Sequence, residues 1–153
     1  MEAPTPDLTP ARLAGLPSWL ITQTAMHAGR LVSTGLAAVD ARGHHYRLLA
    51  TLDEFGPASQ ATLGRRSGIH FSDIVAAVNE LADQELVTRA PDPADRRRNV
   101  ITVTPAGRRQ LRRLEKQLAR VQDELLAPLS ADEREQLTHL LSRVLGHHTR
   151  QPT

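Results

Sequence analysis

Arg89-Ala-Pro-Asp-Pro-Ala-Asp-Arg-Arg-Arg-Asn-Val-Ile-Thr-Val-Thr-Pro-Ala-Gly107 is the stretch on which the fold turns. Its β-branched run from Asn99 to Val103 predicts a strand, and Glu85 to Ala90, with Leu86 and Val87, predicts the partner. Between them, Pro91 to Arg98 is too long for a two-residue hairpin turn, so it predicts a protruding loop tipped with Arg96, Arg97 and Arg98. Thr104-Pro105 then restarts a helix in the favoured order of N-cap and first position. Arginines on a short loop reach phosphates, or enter a narrow minor groove where the negative potential is enhanced.

The residues just before this hairpin give it a neighbour. Ser59 is a good N-cap for a short helix to about Ser67, Gly68 supplies a turn, and Ile69 anchors it. A second helix from about Phe71 to Gln84 places Ile74, Val78 and Leu81 on one face, which predicts a helix-turn-helix whose second helix enters the major groove. The other face carries Ser72, Asp73, Val75, Ala76, Asn79 and Glu80. Asp73 and Glu80 are expected to face an anionic groove, so base reading is expected to be sparse, with Ser72, Asn79 and His70 as donors. Phe71 or Val75 would touch a thymine methyl group, and Asp73 would accept from a cytosine amino group or hold Arg65.

Around this lobe the periodicity is helical. Pro17 to about Ala41 reads as one helix and His45 to Phe55 as another, ended by Gly56-Pro57. After Thr104, the residues Leu111, Leu114, Leu118, Val121 and Leu125 form a heptad seam. Pro128 stops that helix, Ser130 to Glu133 is a capping box, and a last helix runs to about His147. The expected fold is mainly α with a small β-hairpin wing, in the order α-α-α-α-β-β-α-α. Expected divisions are a flexible arm at 1–16, a dimerisation region at 17–43 and 104–148, a winged lobe at 44–103 and a flexible tail at 149–153. The long helices carry more apolar stripe than the lobe can cover, which predicts a homodimer.

Charge is uneven along the 153 residues. Residues 1–88 hold six arginines against nine acids, 89–120 hold ten basic residues against three acids, and 121–153 hold three against five. A single basic block is an electrostatic footprint for a polyanion, whose binding weakens steeply with salt. There is no cysteine, which excludes disulfides and thiolate metal sites. No apolar run approaches the roughly 18 residues a membrane span needs, and the N-terminus lacks signal-peptide character, so the expected location is the cytoplasm with no membrane partner.

Asp95-Arg96-Arg97-Arg98-Asn99-Val100-Ile101-Thr102-Val103-Thr104-Pro105-Ala106-Gly107, together with Ser59-Gln60-Ala61-Thr62-Leu63 and Val78-Asn79-Glu80-Leu81, resembles the MarR family of bacterial transcriptional regulators. The resemblance covers about residues 17 to 147. It implies a homodimer, interlocked through the first and last two helices, that binds a pseudo-palindromic double-stranded DNA operator, usually as a repressor. By position it implies Arg97 in the minor groove, Asp95 bracing the wing through an ion pair, and Arg96 and Arg98 at phosphates. Ser59 and Gln60, at a helix N-terminus, would bind phosphate. The chain departs from the family where a basic residue is common, at Ala76, and where a better N-cap is common, at His70.

The resemblance also implies a ligand pocket between the first two helices and the long helix after the wing. Trp19, Gln23, His27 and Arg30 on the first helix, with His44 and Tyr46 opening the second, would suit a small phenolic or carboxylate ligand. The alternative is that Trp19 packs in a dimer interface and the histidines are ordinary boundary residues. No histidine spacing resembles a metal motif, and neither a metal nor a cofactor is expected. No nucleophile elbow, phosphate-binding glycine loop or carboxylate pair points to an enzyme. Two further readings are a DNA-binding regulator that answers to no ligand, and a helical interaction module that binds no DNA.

Overall fold

The structure is a computed structural model in which residues 8–150 are described. A short helix α1 (Ala11–Ala14) precedes α2 (Pro17–Ala37) and α3 (Gly43–Phe55). The lobe follows as β1 (Ala58–Ser59), α4 (Gln60–Ser67), α5 (Phe71–Asp83), β2 (Val87–Pro91) and β3 (Asn99–Val103). Two long helices close the chain, α6 (Pro105–Leu125) and α7 (Ala131–Thr149). The expected class, mainly helical with a hairpin wing, is what is found, with two additions. One is α1, inside the stretch expected to be a flexible arm; residues 1–7 of that arm and 151–153 of the tail lie outside the described residues. The other is β1, which makes the sheet three-stranded in the order β1-β3-β2.

Element ends follow local chemistry. α2 stops at Ala37 rather than near Ala41 because Asp40 adopts a left-handed conformation (φ 55°) and the Ala41 N–H returns to the Leu36 carbonyl at 2.9 Å. α4 begins where the Ser59 hydroxyl accepts from the Thr62 N–H at 3.2 Å, and it ends at Gly68, whose φ of +68° only glycine adopts cheaply. β2 starts at Val87, two residues later than expected, because Glu85 also has a positive φ (59°). Its register on β3 pairs Val87 with Val103 and Arg89 with Ile101, while β1 pairs Ala58 with Ile101 on the other edge. At Gly107, a Cβ would fall 2.1 Å from the Leu86 carbonyl oxygen, so only glycine lets α6 cross the chain there. Thr104 caps the helix, accepting from the Gly107 N–H at 3.0 Å and donating to the Glu85 carbonyl at 2.8 Å.

One core serves both halves of the chain. Leu48, Leu49 and Leu52 of α3, Leu63 of α4, Ile74, Val78 and Leu81 of α5 and Ile101 of β3 pack with Leu36 of α2 and with Leu111 and Leu114 of α6. Of the heptad seam, Leu111, Leu114 and Val121 are buried and Leu118 and Leu125 partly so. Val121 closes on Gly35 of α2, where any Cβ would meet its Cγ2 at 2.6 Å. By contrast, α7 buries no residue, and its Leu140, Leu141, Val144 and Leu145 are exposed, as are Leu20 and Ile21 of α2. No helix among the described residues is long and apolar enough to cross a membrane.

Candidate nucleic-acid interface

The N-termini of α4 and α5 and the base of the wing enclose an open groove of about 470 Å³. Its lining includes Ser59, Gln60, Arg65, Phe71, Arg97 and Arg98, all named from the sequence for DNA contact, with Thr62 and Asn99 added. Phe71 stands 65% exposed at the start of α5. The groove is thus walled by a helix N-terminus on one side and guanidinium groups on the other, the arrangement that suits an anion.

The wing is built around Asp95. Its Oδ1 accepts from both the backbone N–H and the Nε of Arg97, each at 3.1 Å, and its Oδ2 accepts from Arg97 Nη2 at 3.3 Å. Arg98 Nε lies 3.7 Å from the same carboxylate. The hydrogen bonds from the Arg97 side chain, then that from its backbone, hold the Asp95 carboxyl below its ordinary range. Asp95 therefore fixes the direction of Arg97, whose side chain is 91% exposed. Arg96 is exposed at the tip.

On α5 the exposed strip comprises Ser72, Ala76 and Asn79, with Asp73 beside it. Two expectations fail here. Glu80 does not face outward; it turns back to α3, where it pairs with Arg42 and accepts from His45 Nε2 at 2.6 Å. Asp73 does not hold Arg65: His44 Nε2 lies 4.0 Å from its carboxylate, while Arg65 donates to Thr62 Oγ1 at 3.0 Å. The side chain of His70 lies 3.0 Å from Ser72 Oγ at the helix start, so these two expected donors are engaged with each other. A residue absent from the expected set sits on this face: Arg89 of β2 donates through Nη1 to Asn79 Oδ1 at 2.5 Å.

Behind α5, His45 is the one buried charged or polar side chain besides Ser67 among the described residues. Burial first, then the positive Arg42 and the neighbouring His44, hold its pKa below the ordinary value despite the Glu80 carboxylate. The Arg42 backbone N–H donates to His45 Nδ1 at 3.3 Å, so the ring is the neutral tautomer that donates from Nε2. A network from the α3 N-terminus thereby grips the C-terminal half of α5.

The expected ligand residues do not converge in the single chain. On α2, Trp19 and Gln23 are half-buried, and His27 and Arg30 are exposed with Nδ1 and Nη2 2.8 Å apart. His44 instead lies against Asp73, and Tyr46 packs on the core. No group of three metal-ligating side chains occurs among the described residues.

The sequence profile of the MarR family matches residues 39–98. A putative transcriptional regulatory protein for the hcr operon of Thauera aromatica is 33% identical over 107 residues, 70% of this chain; the chain spans 64% of that relative's length. Among solved structures, a probable transcriptional regulator from Pseudomonas aeruginosa superposes with a TM-score of 0.76 at 30% identity, over 87% of this chain and 99% of that one. The PcaV transcriptional regulator of Streptomyces coelicolor, solved in complex with its natural ligand, superposes with a TM-score of 0.73 at 30% identity, over 91% of this chain and 98% of that one.

Proposed function

Because this chain belongs to the MarR family, we propose that it is a cytoplasmic transcriptional regulator, a repressor, that binds a pseudo-palindromic duplex operator as a homodimer. The observation that carries this reading is the groove in which Ser59, Gln60, Arg65, Phe71, Arg97 and Arg98 line one concave surface. α5 lies in the major groove, while Arg97, aimed by Asp95, enters the flanking minor groove, and Arg96 and Arg98 meet phosphates. The exposed apolar face of α7, with Leu20 and Ile21 of α2, is the surface that the second subunit covers.

Release by a small aromatic carboxylate belongs to the same proposal. Trp19 offers an aromatic wall, and Arg30 with His27 offers donors, on a helix that a second subunit would help to enclose. PcaV, solved with its natural ligand, lends support to a ligand-responsive reading. Fluorescence anisotropy on operator fragments recovered by binding-site selection tests the DNA reading. Arg97→Ala is expected to abolish specific binding at moderate salt while the variant stays folded; unchanged binding by that variant rejects the assigned wing geometry.

A further inference from the structure

The side chain of Arg89 comes to α5 from a strand. In the antiparallel pair, Arg89 stands opposite Ile101, and cross-strand partners project to the same side of the sheet. Ile101 is fully buried under the helices, as is Val87 two residues before Arg89. Arg89 leaves the same side at the point where the hairpin outgrows the core, so its chain lies over the edge of α5 rather than beneath it. There it meets Asn79, ten residues earlier, at 2.5 Å.

This contact settles which way the amide points. A guanidinium has N–H donors and no acceptor, so the atom of Asn79 that it touches is Oδ1, and the amino group Nδ2 faces away from it. Asn79 continues the exposed strip of Ser72 and Ala76 at i, i+4 and i+7. With Ala76 contributing no polar atom and Ser72 engaged by His70, Asn79 and Arg89 are the outstanding hydrogen-bonding groups on this part of the helix. The carbonyl side of Asn79 is covered by a cation, and both side chains offer only N–H groups outward.

We propose that Arg89 and Asn79 form a composite guanine-reading pair, in which Arg89 positions and polarises the Asn79 amide. An unassisted asparagine reads adenine, because its oxygen accepts from N6 while its nitrogen donates to N7. A donor-only, cationic edge instead matches the two major-groove acceptors of guanine, O6 and N7, and is mismatched to the adenine amino group. This pair rests on the reading of α5 as the helix in the major groove. It adds one sequence-determining position to an element expected to read few bases.

The test is binding-site selection from randomised duplexes with the full-length protein, followed by affinity and salt titrations on single-base variants of the selected site. Wild type is expected to select guanine at one position in each half-site. Asn79→Ala and Arg89→Gln are each expected to lose that preference by roughly tenfold or more, at that position alone, and the double variant is expected to lose no more than either. Asn79→Asp supplies an independent arm: its carboxylate, held by the same arginine, presents acceptors, so selection moves from guanine to a base with an amino group. Three results overturn the pair: selection of adenine by wild type, unaltered selection by Asn79→Ala, or a loss in Arg89→Gln that is equal at all sequences and flattens the salt dependence, as a phosphate contact would. A protein that binds no duplex at low salt overturns the regulator reading along with the pair, whereas binding with unaltered selection overturns the pair alone.

Discussion

Arg96→Ala separates phosphate contact from base reading. Arg97 and Arg98 both engage Asp95, at 3.1 and 3.7 Å, whereas Arg96 stands exposed at the wing tip with its charge uncommitted to that carboxylate. A phosphate neutralised by such a side chain releases condensed counterion, and log K then falls with log salt by about 0.9 per contact. The proposed dimer carries two wings, so the substitution is expected to reduce the steepness by about 1.8. Between about 50 and 200 mM salt, that difference narrows the gap between wild type and variant about twelvefold. Anisotropy titrations at four or more salt concentrations on one operator measure it directly. Base preference is expected to stay as in wild type, because phosphates position the protein without specifying sequence. A variant with the wild-type slope refutes the assignment of Arg96 to phosphate, and a variant with altered base preference refutes the division of labour within the wing.

Asp95→Ala is expected to weaken operator binding although it removes a negative charge from the loop assigned to DNA, because Arg97 loses its brace; tighter binding in anisotropy refutes the brace. Since the native carboxyl is held below its ordinary value, the brace is complete above that value, 3.8, and is lost only as pH falls through the lowered one, so this group leaves binding flat across neutral pH. Gly107→Ala puts a Cβ 2.1 Å from the Leu86 carbonyl, and overpacking of this kind is expected to cost about 3 kcal/mol, a fall of about 6–12 °C in Tm; a wild-type melt contradicts the close crossing. His45 has a lowered pKa in the folded state, so the unfolded chain binds more protons, and stability is full above 6.5 and declines as pH falls below it. His45→Gln keeps a donor for Glu80 and is expected to remove that decline in pH-dependent urea melts; an unchanged decline assigns it elsewhere. Leu141→Asp with Leu145→Asp, both exposed in the single chain, is expected to yield a monomer in light scattering; a persistent dimer places the interface on another face.

The parts legible from sequence are those governed by neighbours in the chain. Ser59, Gly68 and Thr104-Pro105 mark helix ends through local hydrogen bonds and backbone preference, and the structure puts caps and turns at those residues. The Asp95–Arg97 contact, expected from the family resemblance rather than from local preference, spans two residues. The two-residue strand β1 carried no periodic signal; it exists because Ile101 and Val100 have a free edge on which Ala58 and Ser59 can pair. The choice of partner for Glu80 was equally hidden, since Arg42 and His45 lie 38 and 35 residues away and come near only when α3 packs on α5. Helical spacing placed Glu80 one residue beyond Asn79 on the expected outer face, yet a glutamate on the flank of a helix turns toward whichever cation the neighbouring element supplies.

That hidden choice changes the electrostatics of the reading helix. From the sequence, α5 presents two carboxylates to DNA, and the wing must then offset their repulsion as well as supply attraction. In the folded chain, Glu80 is neutralised from behind by Arg42, and Asp73 has His44 at 4.0 Å, while Arg89 brings a positive charge to the outward strip at Asn79. The helix surface therefore meets a polyanion closer to neutral than its composition implies. The Arg42 charge comes from the N-terminus of α3, which adjoins α2, the helix with the exposed apolar residues and the His27–Arg30 pair. A displacement of α3 relative to α5 that separated Arg42 from Glu80 would leave an uncompensated carboxylate on the α3-facing flank of α5. Arg42→Gln, which takes the cation away from Glu80, is expected to weaken operator affinity with the wing intact; unchanged affinity in anisotropy refutes the idea that this neutralisation matters to binding.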